Sequence, residues 1–253
     1  FRRALALKPD CAEACYNLGL LLGEQGDMHE AAVLCRQALA LKPDYIAAEN
    51  RLMYHLQHLG EWMDLDALVE RQRQRIQAQP APSLSPFTFL AIPTSAAEQL
   101  VCARNWAASF APYVQQRETL GFCFSKTPKP RLQIGYLSAD LRQHPVACLI
   151  EELFELHDRS RVEVVAYSIG ADDGSDLRKR LVSACDRFVD LTALSYVEAA
   201  RTIHKDGIDL LIDLQGYTRL ARTPILALRP APIQVNWLGY PGTMGAEFMD
   251  YII

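Results

Sequence analysis

Leu132-Gln-Ile-Gly-Tyr-Leu137 (LQIGYL), followed by Ser138-Ala-Asp-Leu-Arg-Gln-His-Pro145 (SADLRQHP), is the segment on which the fold turns. The first six residues are mostly apolar and too few for a helix, which predicts a strand buried on both faces. The next eight bring together an acid, two basic groups and a proline, and a helical pattern begins near Ala147. Strand, polar loop and helix in that order make the opening unit of a wound α/β sheet.

Working outward toward the C-terminus, the pattern repeats. Strand-length apolar runs occupy 162–167, 188–191, 210–214, 233–238 and 251–253, and helical patterns at 147–156, 176–185 and 196–205 lie between them. Near-continuous apolar strands alternating with helices predict a Rossmann-like parallel sheet covered on both faces. Ligands of such sheets bind outside the carboxyl ends of the strands. Four loops share that edge: 138–145, 168–175 (SIGADDGS), 215–219 (QGYTR) and 239–243 (GYPGT). Each also has a plain structural reading. His144-Pro145 can simply open a helix, and the DDG and GYPG sequences are ordinary turn formers. No G-x-G-x-x-G follows the first strand, which disfavours a dinucleotide cofactor. His157 and His204 fall in helical runs away from this edge and read as packing or surface residues.

Working outward toward the N-terminus, the period changes. Ala4-Leu-Ala-Leu-Lys-Pro-Asp10 recurs letter for letter as Ala38-Leu-Ala-Leu-Lys-Pro-Asp44, an offset of 34 residues, the period of a tetratricopeptide unit. Leu18-Gly19, Leu22, the Gly26-Asp27 turn, Ala31, Ala38 and Pro43 all stand in register. A weaker copy starts near Ile46 and fades around Trp62, as a terminal repeat does where it meets something else. The stretch 79–86 (QPAPSLSP) is a proline- and serine-rich break. Residues 95–110 read as a helix with Ser95 as cap and Glu98 in the capping-box position. The stretch 125–130 (SKTPKP) reads as a boundary. The expected organisation is tetratricopeptide repeats over 1–78, a helical linker over 79–130, and an α/β lobe over 131–253. Both ends of the sequence look cut, so further repeats are expected before Phe1 and a second lobe after Ile253.

Composition narrows the function. The net charge of −4 over 253 residues does not mark a nucleic-acid binder, and the run Arg71-Gln-Arg-Gln-Arg75 reads as a solvated helix face. No run of 18 apolar residues is present, so no membrane partner is expected. Seven scattered cysteines, without a C-x-x-C pair, read as free and mostly buried thiols in a reducing, cytoplasmic setting rather than as a disulfide framework or metal site.

The stretches 131–140 with Gln143-His-Pro145, then Asp172-Asp-Gly174, Gly216-Tyr-Thr218 with Ala221-Arg222, 227–234 (ALRPAPIQ) and 237–243 (WLGYPGT) resemble, in this order, the O-linked N-acetylglucosamine transferase family. The resemblance implies tetratricopeptide repeats ahead of a two-lobed GT-B glycosyltransferase of family 41. It implies inverting transfer of N-acetylglucosamine from UDP-GlcNAc to serine or threonine of acceptor proteins bound along the repeats. No cofactor and no metal is implied. By position, His144 matches a histidine argued to be the general base, and Asp140 an acid discussed for proton handling. Pro145, Leu238, Gly239, Tyr240, Pro241, Gly242 and Thr243, with Tyr217 and Arg222, match the substrate-lining stretches. Two departures stand out: Val146 replaces a frequent threonine, and 85–90 (SPFTFL) lacks a histidine found there in animal members. An imidazole beside a carboxylate suits removal of a hydroxyl proton near neutral pH. Two alternatives stay open: transfer of fucose from GDP-fucose, as in plant relatives of similar layout, and a non-catalytic protein-binding scaffold.

Overall fold

The computed structural model describes residues 1–78, 84–125 and 127–253. Most of the break at 79–86, and Lys126 of the 125–130 stretch, lie outside them. The chain forms two compact units. One is Phe1–Leu84 with Thr88–Glu98, and the other is Ser85–Phe87 with Gln99–Ile253.

The first unit carries α1 (Arg2–Leu7), α2 (Ala12–Glu24), α3 (Met28–Leu41), α4 (Ile46–Leu59) and α5 (Leu65–Ala78). Residues at i, i+3, i+4 and i+7 give α2 one buried stripe, Cys15, Leu18, Gly19 and Leu22. Gly19 sits where the helices press together, because a Cβ there would lie 3.2 Å from the Ala31 carbonyl oxygen. Ala31 and Ala38 on α3 are fully buried, which explains why small residues recur at those positions. Asp27 caps α3 by accepting from the Glu30 amide. His55 is buried against Gly23, and burial lowers its pKa to about 4. It is a core residue, as its place in the repeats implies.

The second unit holds α6 (Pro86–Phe89) in part, most of α7 (Ala96–Ala108), α8 (Ala111–Leu120) and the sheet. Ser95 and Glu98 form the expected capping box, with each side chain bonded to the other's backbone N–H. The segment read as a linker is therefore divided: residues up to Glu98 pack with the repeats and those from Gln99 with the sheet. Apolar side chains of α8 and its flanks, Tyr113, Val114 and Leu120, pack against the sheet's core, which makes this segment part of a domain.

The sheet is β1 (Leu132–Ser138), β2 (Val162–Ser168), β3 (Arg187–Asp190), β4 (Leu210–Asp213), β5 (Ile233–Asn236) and β6 (Tyr251–Ile252). All five pairings are parallel, in the order β3-β2-β1-β4-β5-β6. Between strands run α9 (Pro145–Leu156), α10 (Asp176–Ala184), α11 (Tyr196–Lys205) and α12 (Thr223–Ala227). Ile134, Tyr136, Val164 and Ala166 bury against α9 and α10, through Ile150, Phe154 and Leu181. Leu137, Val165, Tyr167 and Leu211 bury on the other face against α11 and α12, through Ala200, Ile203, Ile225 and Leu226. Both faces are covered, as continuous apolar strands require.

All seven cysteines are free. Burial holds for Cys15, Cys35 and Cys102, but Cys123 and Cys148 are exposed and Cys11 and Cys185 half-buried. An apolar neighbourhood in sequence does not say which face of a helix a residue occupies. His157 hydrogen-bonds the Tyr136 hydroxyl at 2.8 Å, and His204 stacks on Phe122 at 4.3 Å. Both are packing residues.

Candidate active site

From β1 the chain winds outward through β2 and β3, returns beside β1 as β4, and winds the other way through β5 and β6. The winding reverses between β1 and β4, and a crevice opens at the carboxyl ends of such a pair. The loops after β1 and β4 flank it.

The β1 loop is held from several sides. The Ser138 hydroxyl accepts from the Asp140 amide at 2.9 Å, which turns the chain as it leaves the strand. A Cβ on Gly170, beyond β2, would stand 2.0 Å from the Ala139 carbonyl oxygen, so only glycine permits that crossing. The Gln143 amide donates to Asp173 at 2.8 Å. The buried Arg178 guanidinium, 4.5 Å above the Phe188 ring, donates to the Leu141 carbonyl at 3.0 Å and to the Ser168 hydroxyl at 2.8 Å. A loop fixed in this way can hold reacting groups in place.

Asp140 is 7% exposed. Its Oδ2 accepts from Gln215 Nε2 at 2.5 Å and lies 3.7 Å from His144 Nδ1, while Arg142 Nη2 stands 3.7 Å from its Oδ1. His144 caps α9 from extended backbone, with Pro145 in the first turn. Its Nδ1 accepts from the Val146 amide at 3.2 Å. The neutral ring therefore carries its proton on Nε2 and presents an N–H. The structural and chemical readings of this histidine are both true: it opens the helix, and its half-exposed ring stands beside a carboxylate.

The β4 and β5 loops interlock. A Cβ on Gly239 would lie 1.8 Å from the Leu214 carbonyl oxygen, and one on Gly216 would lie 2.3 Å from Tyr240. Leu238 adopts a left-handed backbone with φ of 70°, uncommon for a residue with a side chain. Asp213, fully buried at the end of β4, accepts from the Gln215 amide at 3.0 Å, the Gly216 amide at 2.9 Å and the Asn236 side chain at 3.1 Å. Burial pushes its carboxyl up to about 6 against these bonds.

Several residues singled out from the sequence take other parts. Arg222 sends its guanidinium to the carbonyls of Leu191, at 2.6 Å, and Leu194, and stacks over Tyr196. It ties down the turn after β3 and does not offer a free fork to a phosphate. Tyr217 is buried, with its hydroxyl donating to the Met244 carbonyl at 2.7 Å, and Tyr240 is buried against it. These tyrosines shape the loops from beneath. Pro145 and Pro241 are exposed, Gly242 is buried and Thr243 half-buried. The structure brings Asp140 and His144 together. Gln215, Ser138, Asp213 and Arg178 were not singled out, because nothing in their spacing distinguishes them from ordinary loop and helix residues.

A family model described as glycosyl transferase family 41 matches residues 60–253, and a tetratricopeptide repeat model matches 12–45. The chain belongs to glycosyl transferase family 41. This family 41 chain is 40% identical over 209 residues to the UDP-N-acetylglucosamine–peptide N-acetylglucosaminyltransferase of Caenorhabditis elegans, covering 78% of the chain and 18% of that relative. It is 35% identical over 217 residues to a probable enzyme of the same description, SEC, from Arabidopsis thaliana, covering 80% of the chain and 22% of the relative. Among solved structures, it is similar to a point mutant of Thermobaculum terrenum O-GlcNAc transferase. The TM-score is 0.62 at 30% identity, over 99% of this chain and 48% of that one. The family 41 chain thus spans about a fifth of the length of these curated relatives. Its repeats followed by a parallel-sheet lobe are the architecture expected from the sequence.

Proposed function

We propose that this chain forms the acceptor-side half of an inverting protein O-glycosyltransferase site, transferring N-acetylglucosamine from UDP-GlcNAc to serine or threonine. The observation that carries the reading is the pair Asp140 and His144, on a braced loop at the point where the sheet reverses, in a chain of family 41. In the reaction the acceptor oxygen bonds to the anomeric carbon as the bond from that carbon to the diphosphate breaks. The hydroxyl proton must leave as this happens.

Two arrangements of His144 bear on that proton. With Nδ1 on the Val146 amide, Nε2–H is a donor and can bind a sugar or acceptor oxygen. A ring movement that closes the 3.7 Å gap to Asp140 puts the proton on Nδ1, donated to the carboxylate, and frees Nε2 to accept one. Catalytic hydrogen bonds are often long before substrate binds. Asp140 then orients the ring and offsets the charge it gains. Leu238 and the tightly packed GYPGT loop would form the wall against which the sugar rests.

Acceptor proteins are proposed to lie along the repeats, and the transfer to proceed without a metal. Seven free thiols favour a cytoplasmic site of action. No helix among the described residues is long and apolar enough to cross a membrane. The test is incubation of the intact enzyme with UDP-GlcNAc or GDP-fucose and an acceptor lysate, with and without EDTA. Addition of one N-acetylhexosamine to serine or threonine from UDP-GlcNAc, unaffected by EDTA, is expected. Addition of a deoxyhexose from GDP-fucose alone would overturn the donor assignment, and no addition would favour the scaffold reading.

A further inference from the structure

We propose that Gln215 is the positioning residue of this site: its side-chain amide, reaching from the β4 loop to the β1 loop, fixes the Asp140 carboxylate in its working orientation. The inference rests on the assignment of Asp140 and His144 above. Gln215 is 1% exposed. Both hydrogens of its Nε2 are used, one on Asp140 Oδ2 at 2.5 Å and one on Ser138 Oγ at 3.0 Å. Its Oε1 lies 3.0 Å from the Thr218 hydroxyl. Flipping the amide would turn Oε1 toward a carboxylate, so the network itself determines which end faces Asp140.

A second buried glutamine gives the contrast. Gln234 Nε2 donates to the carbonyls of Leu226 and Phe248, so both hydrogens satisfy main chain in the core. Gln215 instead holds an acid that belongs to the site, across the crevice between β1 and β4. Its own placement is braced by Asp213, which takes the Gln215 and Gly216 amides and is itself held by Asn236 of β5. One chain of hydrogen bonds therefore runs from the end of β5 through the end of β4 to the acid beyond β1.

Gln215 is the one hydrogen-bond donor to the Asp140 side chain among the described residues. The other charged groups facing Asp140 stand further off: Arg142 and His144 on its own loop are each at 3.7 Å. Asp213 turns toward backbone amides, and Arg178 and Asp173 hold the main chain of the β1 loop. Without the amide, nothing fixes the rotation of the carboxylate about its last bond. It would follow Arg142 and leave His144 without its partner. Misplacement of a reacting group by about an ångström costs on the order of 100-fold in rate.

The test compares Gln215→Ala, Gln215→Glu and Asp140→Asn in the intact enzyme, with kcat and KM measured across pH. Gln215→Ala should lower kcat by about 10–100-fold with KM for UDP-GlcNAc within about 2-fold. Adding it to Asp140→Asn should cost little more, because the two act as a unit. Gln215→Glu keeps the shape but sets a second carboxylate against Asp140, which then holds its proton to higher pH. The acidic limb of the kcat profile should move up, which reads the coupling of position 215 to a carboxylate on which turnover depends. Should Gln215→Ala fold poorly, the near-isosteric glutamate variant carries the test through its pH profile. If Asp140→Asn is nearly inactive while both Gln215 variants keep normal kcat and an unmoved profile, the positioning role is wrong and the site assignment stands. Normal turnover in Asp140→Asn would overturn both.

Discussion

The buried Asp213 carboxyl makes stability depend on pH in the direction opposite to most carboxylates. Burial raises its carboxyl from an ordinary 3.8 to about 6, so the folded protein binds its proton more tightly than the unfolded chain does. Its contribution to stability is largest below about pH 4 and is lost as the pH climbs toward 6, a change on the order of 3 kcal/mol. Glu98 behaves oppositely: Arg73 and the Ser95 backbone and hydroxyl hold it down at about 2. Melting wild type and Asp213→Asn side by side from pH 4 to pH 7 should show wild type losing its advantage as pH rises; a constant difference would refute the assignment. The sequence already put Asp140 and His144 on one loop after a buried strand, and the structure brings their side chains to 3.7 Å. Gln215 was illegible, since a glutamine in a loop carries no pattern. Arg222 was misleading: its nearness to the right edge does not tell where a guanidinium points, and here it points at two carbonyls.

At the scale of elements, the contacts that set the loops are between backbones, and glycines mark them. Gly239→Ala would drive a methyl carbon to 1.8 Å from the Leu214 carbonyl oxygen and push the β4 loop away, taking Gln215 with it. A loss of about 1–3 kcal/mol of stability and a large fall in turnover are expected. Gly174→Ala is the control. That residue has φ of 66° but open space around it, so only a conformational cost of about 1 kcal/mol should appear, with activity retained. Equal effects of the two substitutions on turnover would contradict the interlocked-loop account. Period and turn chemistry placed every strand within a few residues of its observed position. Helix α9 begins two residues before the expected Ala147, because Pro145 is pre-set for a first turn and His144 caps it. Helix α12 was not anticipated, and α8 lies within the expected helical stretch without having been distinguished as a separate helix. Five residues of α12 are too few to show a period, and the patterned run before α8 ends at Phe110, where a fresh helix starts with Pro112 in its first turn.

For the whole molecule, the 34-residue repeat and the switch to strand-length runs were enough to read two kinds of architecture, since both are periodic properties of the chain. Where one ends was harder to read, because the boundary between the units falls inside α7, at Glu98 and Gln99, in a helix with no break in its pattern. Arg222 is engaged by the carbonyls of Leu191 and Leu194 and offers no free fork to a diphosphate. Residues 1–253 alone should therefore show no micromolar binding of UDP-GlcNAc by calorimetry; such binding would place a nucleotide site within this lobe. Whether the loop from Ser138 to Pro145 is catalytic shows first in the turnover of His144→Ala in the intact enzyme, with its melting curve recorded beside wild type. Loss of most transfer activity is expected, with the fold retained and stability lowered only by the missing helix cap, about 1 kcal/mol. Near-normal turnover would show that His144 merely opens a helix, and would contradict a catalytic role for the loop.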